Sequence, residues 1–129
     1  MEDSVFTKII KREMPAEIIY EDDRVIVILN LFPNTEGETL VIPKQQIAYF
    51  ADLDDETYHY LMSMVKKIAK TLDATFATLR TCVLIEGFDV PHVHVRLYPI
   101  TNGHLNVAQG PQATPEELKR VGDRIRASL

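Results

Sequence analysis

The amino-acid sequence predicts an α+β fold: an antiparallel meander sheet with one long helix and short helices at the N- and C-terminal ends. Three observations carry this. The β-branched runs EIIYED, RVIVILN and TLVIPK follow one another with only turn-type residues between them. The segment DLDDETYHYLMSMVKKIAKTL then carries apolar residues at helical spacing, and two more strand-like runs, TCVLIEG and HVHVRLY, come after it. Strands in runs, interrupted by one long helix, favour an antiparallel sheet with helices packed on one face over an alternating parallel arrangement.

Taken in order, Asp3 or Ser4 can cap a short first helix that reaches about Arg12, placing Phe6, Ile9 and Ile10 on one face before Pro15 closes it. Asp22-Asp23 turns the first two strands into a hairpin, and LFPNTEGE leads to the third. The long helix has acids at its start and lysines toward its end, matching the helix dipole, with Leu61, Met64, Val65, Ile68 and Leu72 on its apolar stripe. Thr114-Pro115-Glu116-Glu117 opens the last helix with a cap, a proline in the first turn and early acids. The resulting order is α-β-β-β-α-β-β-α. At 129 residues and 46% apolar content, residues 1–129 are read as one domain.

Composition narrows the function classes. A net charge of −5 gives no overall basic field for nucleic acid or an anionic membrane, so any anion site is local and small. The lone Cys82 excludes an intramolecular disulfide and a cysteine-based zinc cluster, and no apolar run approaches the ~20 residues of a membrane span; a soluble, cytoplasmic protein is expected.

The segment with the densest chemistry is VPHVHVRLYP, residues 90–99. In a strand, His92, His94, Arg96 and Tyr98 share one face while Val93, Val95 and Leu97 share the other. Two imidazoles about 6.6 Å apart by strand rise suit a metal, a phosphate, or a nucleophile with its orienting partner. A polar sheet face that merely meets solvent is the plain alternative. A metal needs further ligands, and Glu86, Asp89 and His104 lack convincing spacing. A neutral imidazole attacks phosphorus well when its other nitrogen is held and the phosphate charge is met.

VPHVHVRLYP resembles the signature of the histidine triad (HIT) family, His-φ-His-φ-His-φ-φ, at every position but one. VFTKIIKREMPAEIIYEDDRVIVILN is similar to that family's opening helix and hairpin, and LNLFPNTEGETLVIPK resembles its LDIxPxxPGHTLVIPK; with FADLDDETY and EGFDVPHVHV the likeness covers roughly residues 4–100. The Hint-like hydrolase branch is the nearest in kind. The resemblance implies that His94 is the nucleophile toward the α-phosphorus of a purine nucleotide, an AMP or GMP moiety. It implies that His92 supports it through its backbone carbonyl and a phosphate contact, that Asn30 meets the ribose hydroxyls, and that Val5, Phe6, Ile9, Met14 and Leu31 enclose the base. It also implies a homodimer built on the long helix and the strand after it, with Met62, Met64 and Val65 as candidate contacts, and no cofactor. His59 and His104 are expected at the surface.

The departures are as informative. Arg96 replaces the third histidine and Glu38 the histidine of GHTLVIPK, which is the pattern of an ion-pair replacement. A partly buried Glu38–Arg96 salt bridge is therefore expected beneath the phosphate; the alternative is that Arg96 turns toward the ligand and joins His94 and His92 in the catalytic set as a fixed positive charge. An arginine cannot act as a general acid at neutral pH, so reduced turnover with retained binding follows. Ser4, Thr7 and Gln46 stand where the zinc-binding branch has its cysteines and a histidine, so no structural zinc is expected. Asp89 falls where many members place a serine or threonine on the phosphate, which unsettles leaving-group recognition. The leading reading is a hydrolase of nucleotide phosphoramidates or dinucleoside polyphosphates; a nucleotide-binding module without turnover and a nucleotidyltransferase or phosphorylase are the alternatives.

Overall fold

The computed structural model describes all 129 residues. Helix α1 (Val5–Ile10) is capped by Ser4, whose hydroxyl accepts the Thr7 backbone N–H, and ends at Lys11 before Arg12 turns left-handed (φ 64°). It is shorter than the sequence suggests because the chain must reverse there to enter the sheet. Strands β1 (Ile18–Glu21), β2 (Val25–Leu29) and β3 (Thr39–Pro43) pair antiparallel in succession. Asp22 closes the first hairpin, one carboxylate oxygen accepting the backbone N–H groups of Arg24 and Val25. A 3₁₀ turn at Phe50–Asp52 leads to helix α2 (Asp55–Phe76), capped by Asp54 and left through Ala77 in the αL conformation. Strands β4 (Arg80–Leu84) and β5 (Val95–Ile100) and helix α3 (Pro115–Ser128) complete the chain, with Thr114 capping the last helix and Pro115 opening it.

The sheet order is β1-β2-β3-β5-β4, all antiparallel. The sheet is thus a three-stranded meander and a two-stranded unit joined at β3 and β5, with β4 at an edge. Register places Leu40 and Leu84 on either side of Arg96.

Both faces of the sheet are covered, which corrects the expectation of helices on one face only. On one face Val25, Val27, Leu29, Val41, Val95 and Leu97 pack against the predicted stripe of α2 and against Val121 and Ile125 of α3. On the other, Ile26, Ile28, Leu40 and Ile42 pack beneath Phe6 and Ile9 of α1. The central strands β2 and β3 are buried at every position for this reason. Met64 and Val65 belong to the chain's own core and are not free to make a dimer contact; Met62 is only partly covered.

Polar ties fix the helices. The hydroxyls of Tyr20 and Tyr60 both donate to Asp22, joining the first hairpin to α2. Burial works against the Asp22 carboxylate, but these phenols and the two backbone amides more than offset it and bring its pKa down to about 2. The hydrogen bond to Asp22 in turn pushes Tyr60 up to about 12. Arg126 of α3 binds Glu17 at 2.7 Å and the Ile18 carbonyl at 2.7 Å, fastening α3 to the start of β1.

Candidate active site

The two histidines do not lie in the strand itself. β5 begins at Val95, and residues 90–94 form a tight approach in which His92 N–H bonds the Val90 carbonyl (2.8 Å) and Val93 N–H bonds the Ile47 carbonyl (2.8 Å). Pro91 has no N–H to give a ladder, and the carbonyl of His92 is taken by a side chain, so regular pairing starts later. The alternation nonetheless holds: Val93, Val95 and Leu97 enter the α2 side, while the His92 and His94 rings lie on the α1 side, 5.8 and 4.8 Å from the Phe6 ring centroid.

Neither histidine is a surface residue: His92 is 0% and His94 3% exposed. A buried imidazole must have its nitrogens accounted for, and here the partners define the tautomers. His92 Nε2 faces the Pro43 carbonyl at 2.7 Å, an acceptor only, so Nε2 carries the proton. His92 Nδ1 is then the acceptor, taken by the Ser4 hydroxyl at 2.7 Å. His94 Nδ1 faces the His92 carbonyl at 2.8 Å and must donate, which leaves His94 Nε2 as an uncommitted lone pair. Burial is the largest influence on His94 and holds it below the ordinary imidazole value. Arg96 acts in the same direction, while the bond to His92 and the charges of Glu86 and Asp89 oppose it. His92 is also lowered, by burial first. A neutral, oriented imidazole with one free nitrogen is what nucleophilic attack requires.

The His92 carbonyl holds His94 as expected, while both ring nitrogens of His92 are engaged inside the chain. Behind His92 lies a network that sequence reasoning saw only as missing zinc ligands. Gln46 Oε1 accepts the Ser4 backbone N–H (2.9 Å) and the Thr7 hydroxyl (2.6 Å), and Gln46 Nε2 donates to the Glu2 carbonyl. Ser4 and Thr7 at the start of α1, held by Gln46 from a second segment, thus converge on His92. Two hydroxyls, an amide and one imidazole do not fit zinc, which wants thiolate, imidazole or carboxylate ligands.

The Glu38–Arg96 salt bridge is not formed. Glu38 is 2% exposed and its two oxygens accept the Asn30 side-chain amide (2.5 Å) and the Asn34 backbone N–H (2.8 Å). These bonds stitch the turn between β2 and β3 and occupy both Glu38 oxygens. Asn30 Oδ1 also accepts the Phe32 N–H at 2.9 Å, so Asn30 serves this turn with both ends of its amide. Arg96 instead lies 3.7 Å from Glu86, on the loop before the histidines, a residue the sequence reading considered only as a metal ligand. It donates no hydrogen bond within the chain, and Arg96 Nε and Tyr98 Oη are buried without a partner.

The apolar candidates divide. Phe6 and Ile9 are buried beside the histidines and Val5 is partly so. Ile9 and Met14 line one surface groove with Arg12, Pro15, Ala16 and Ile18, while Leu31 is 42% exposed near the end of β2. Asp89 is exposed in the loop before the motif, and His59 and His104 lie at the surface.

Comparison with known proteins gives the family and the fold. The HIT domain family model matches residues 11–103. The chain is 29% identical over 129 residues to adenosine 5'-monophosphoramidase hnt1 of Schizosaccharomyces pombe, covering 97% of each chain. A HIT-like protein of Bartonella henselae superposes with a TM-score of 0.87 at 32% identity, covering 98% of this chain and 96% of the other. A zinc-bound histidine triad family protein of Mycobacterium smegmatis does so at 0.81 and 28%, covering 96% and 91%. With its histidine pair, its sheet and this match over most of its length, the chain belongs to the HIT family.

Proposed function

We propose that the protein is a hydrolase of purine nucleotide conjugates, a phosphoramidate or a dinucleoside polyphosphate, that acts at the α-phosphate through a nucleotidyl-histidine on His94. The observation that carries this reading is the relay from Ser4 and Pro43 through His92 to His94. It accounts for both tautomers and leaves one nitrogen of a buried, neutral imidazole without a partner in the chain, two residues before the cationic Arg96.

In the first step the His94 Nε2 lone pair forms a bond to phosphorus while the bond to the leaving group breaks. In the second, water adds, the N–P bond breaks with its electron pair returning to Nε2, and the water proton passes to solvent. His94 Nδ1–H stays on the His92 carbonyl throughout, where it stabilises the imidazolium character of the intermediate. Arg96 meets the phosphoryl charge. Phe6 and Ile9 wall the nucleotide's side of the cleft, and the unpaired outer edge of β4 offers a surface for a twofold partner. The similarity to the fission-yeast monophosphoramidase supports a phosphoramidate as one substrate class.

The test is to incubate the protein with AMP-morpholidate and with a diadenosine polyphosphate, follow AMP release, and look for a nucleotidyl adduct by mass spectrometry after alkaline quench. Adduct and AMP from the wild type, both lost in His94→Ala, are expected. Release that persists in His94→Ala would sink the reading.

A further inference from the structure

Resting on that reading, we propose that this site selects nucleotide anhydrides whose leaving group departs as a stable anion, an acyl carboxylate or a phosphate, over nucleotide amides, and that Arg96 sets the choice. Groups from several elements face His94. His92 stands behind it with both ring nitrogens engaged. Glu86 and Asp89, on the preceding loop, are exposed carboxylates, acceptors when ionised. Glu38, in the turn before β3, has both oxygens bound in that turn. From α1 the facing side chain is the Phe6 ring. Tyr98 lies four residues beyond His94, about 13 Å along the chain at strand rise, with its hydroxyl fully buried, out of reach of a departing group. That leaves Arg96, a donor that does not release a proton at neutral pH. No neighbour of His94 can protonate a departing nitrogen.

What Arg96 does offer is charge and uncommitted donors. Its side chain is only 22% exposed, its one ion pair, to Glu86, is long at 3.7 Å, and the Tyr98 phenol beside it, which with Glu86 and Glu38 favours its charge, is not aligned to take one of its N–H groups. Its Nε is buried and unpartnered. A guanidinium held this way beside the nucleophile is suited to receive carboxylate or phosphate oxygens in a bidentate contact.

The chemistry of the leaving groups then divides. When His94 Nε2 forms its bond to phosphorus, the bond to the leaving atom breaks and that atom keeps the electron pair. A carboxylate, whose acid has a pKa of about 4, or a phosphate, with a second pKa of about 6, leaves as the anion and needs no proton. An amine leaves only once its nitrogen has been protonated. Losing a positioned acid costs on the order of 10²-fold or more, and that cost falls on amides alone.

The experiment measures kcat/KM at pH 7 for an acyl adenylate and for AMP-morpholidate, each corrected for its rate in buffer. An anhydride preference on the order of 10²-fold is expected in the wild type. Arg96→His, which puts a titratable donor at the position, should narrow the ratio by accelerating the amide below about pH 6.5; Arg96→Gln should narrow it by slowing the anhydride. Equal corrected rates in the wild type, or a ratio unmoved by Arg96→His, would overturn the proposal even with a nucleotidyl adduct present. Neither substrate consumed faster than by His94→Ala, with no adduct, would overturn the hydrolase reading and this one together. Should either variant fail to fold, the wild-type ratio still decides.

Discussion

Replacing Ser4 by alanine removes one hydroxyl that serves two structures at once. Its oxygen accepts the Thr7 N–H at 3.0 Å as the cap of α1, and its proton goes to His92 Nδ1 at 2.7 Å. Loss of a serine cap costs about 1 kcal/mol. The second loss leaves a fully buried imidazole nitrogen without a donor, worth about 1–3 kcal/mol. The Thr7 hydroxyl, 3.4 Å from the same nitrogen, recovers part of it only by giving up Gln46. A net destabilisation of about 2–3 kcal/mol follows, which at roughly 4 °C per kcal/mol for a domain of this size is a fall in Tm of about 10 °C. Thermal melting followed by circular dichroism measures it, with Ser4→Thr, which keeps the hydroxyl, as the control. The assignment predicts a second signature: in imidazole nitrogen NMR of the wild type, His92 is the Nε2–H tautomer and His94 the Nδ1–H tautomer. A Ser4→Ala melt within about 2 °C of the wild type, or Ser4→Thr falling as far as Ser4→Ala, would show that the relay does not bear on stability as reasoned.

Other outcomes follow from the same coordinates. Burial depresses His92 and His94 below the ordinary 6.5, so the unfolded chain binds more protons at mildly acid pH; denaturant midpoints should fall as pH drops below about 6.5, then level once the folded imidazoles also protonate. For the same reason the rate of His94 nucleotidylation should rise with pH to a plateau, with a kinetic pKa below 6.5; a value above it would contradict the buried neutral imidazole. Asp22, at about 2 against 3.8, contributes stability above pH 3.8 that is lost on acidification toward 2; Asp22→Asn should remove that acid limb and, after allowance for solvent screening, cost about 1–2 kcal/mol in urea titrations at pH 7. Glu38→Gln turns one of two buried acceptors into a donor facing another donor, Asn30 Nδ2 or the Asn34 N–H, and should cost about 1–3 kcal/mol by the same measurement. At Gly110 an added Cβ would fall against the Pro33 carbonyl oxygen, where backbone stands on both sides; Gly110→Ala should loosen the strap that bonds the Phe32 carbonyl and be visible as faster amide exchange at Gly110 and Ala113.

The elements were legible where a pattern had one physical cause. The stripe Leu61, Met64, Val65, Ile68 and Leu72 is buried as its spacing predicts, and the caps at Ser4 and Thr114 sit where their side chains can reach free N–H groups. The two-sided sheet was also written in the chain: Val25–Leu29 is an unbroken apolar run, which marks a strand covered on both faces, not the alternation of a half-exposed one. What was not legible was pairing by side chains far apart in sequence. Strand order is one case, since nothing local says that β5 inserts between β3 and β4. The partners of Glu38 and Arg96 are the other.

That second case bears on how the arginine functions. Charge complementarity alone suggested that Glu38 and Arg96 replace two imidazoles as a unit. A carboxylate has several nearby donors to choose from, and Glu38 takes those of its own turn, Asn30 and Asn34, which cost little additional ordering because that turn already brings them close. Arg96 is left with a long contact to Glu86 and no hydrogen bond. A direct Glu38–Arg96 pair would have occupied the guanidinium; with its oxygens bound in its own turn, Glu38 still acts on Arg96 through its charge but takes none of its donors. The two substitutions are therefore separable in effect: the one at position 38 secures the turn that holds Asn30, and the one at position 96 leaves a guanidinium that, on the proposed mechanism, a departing anion would meet.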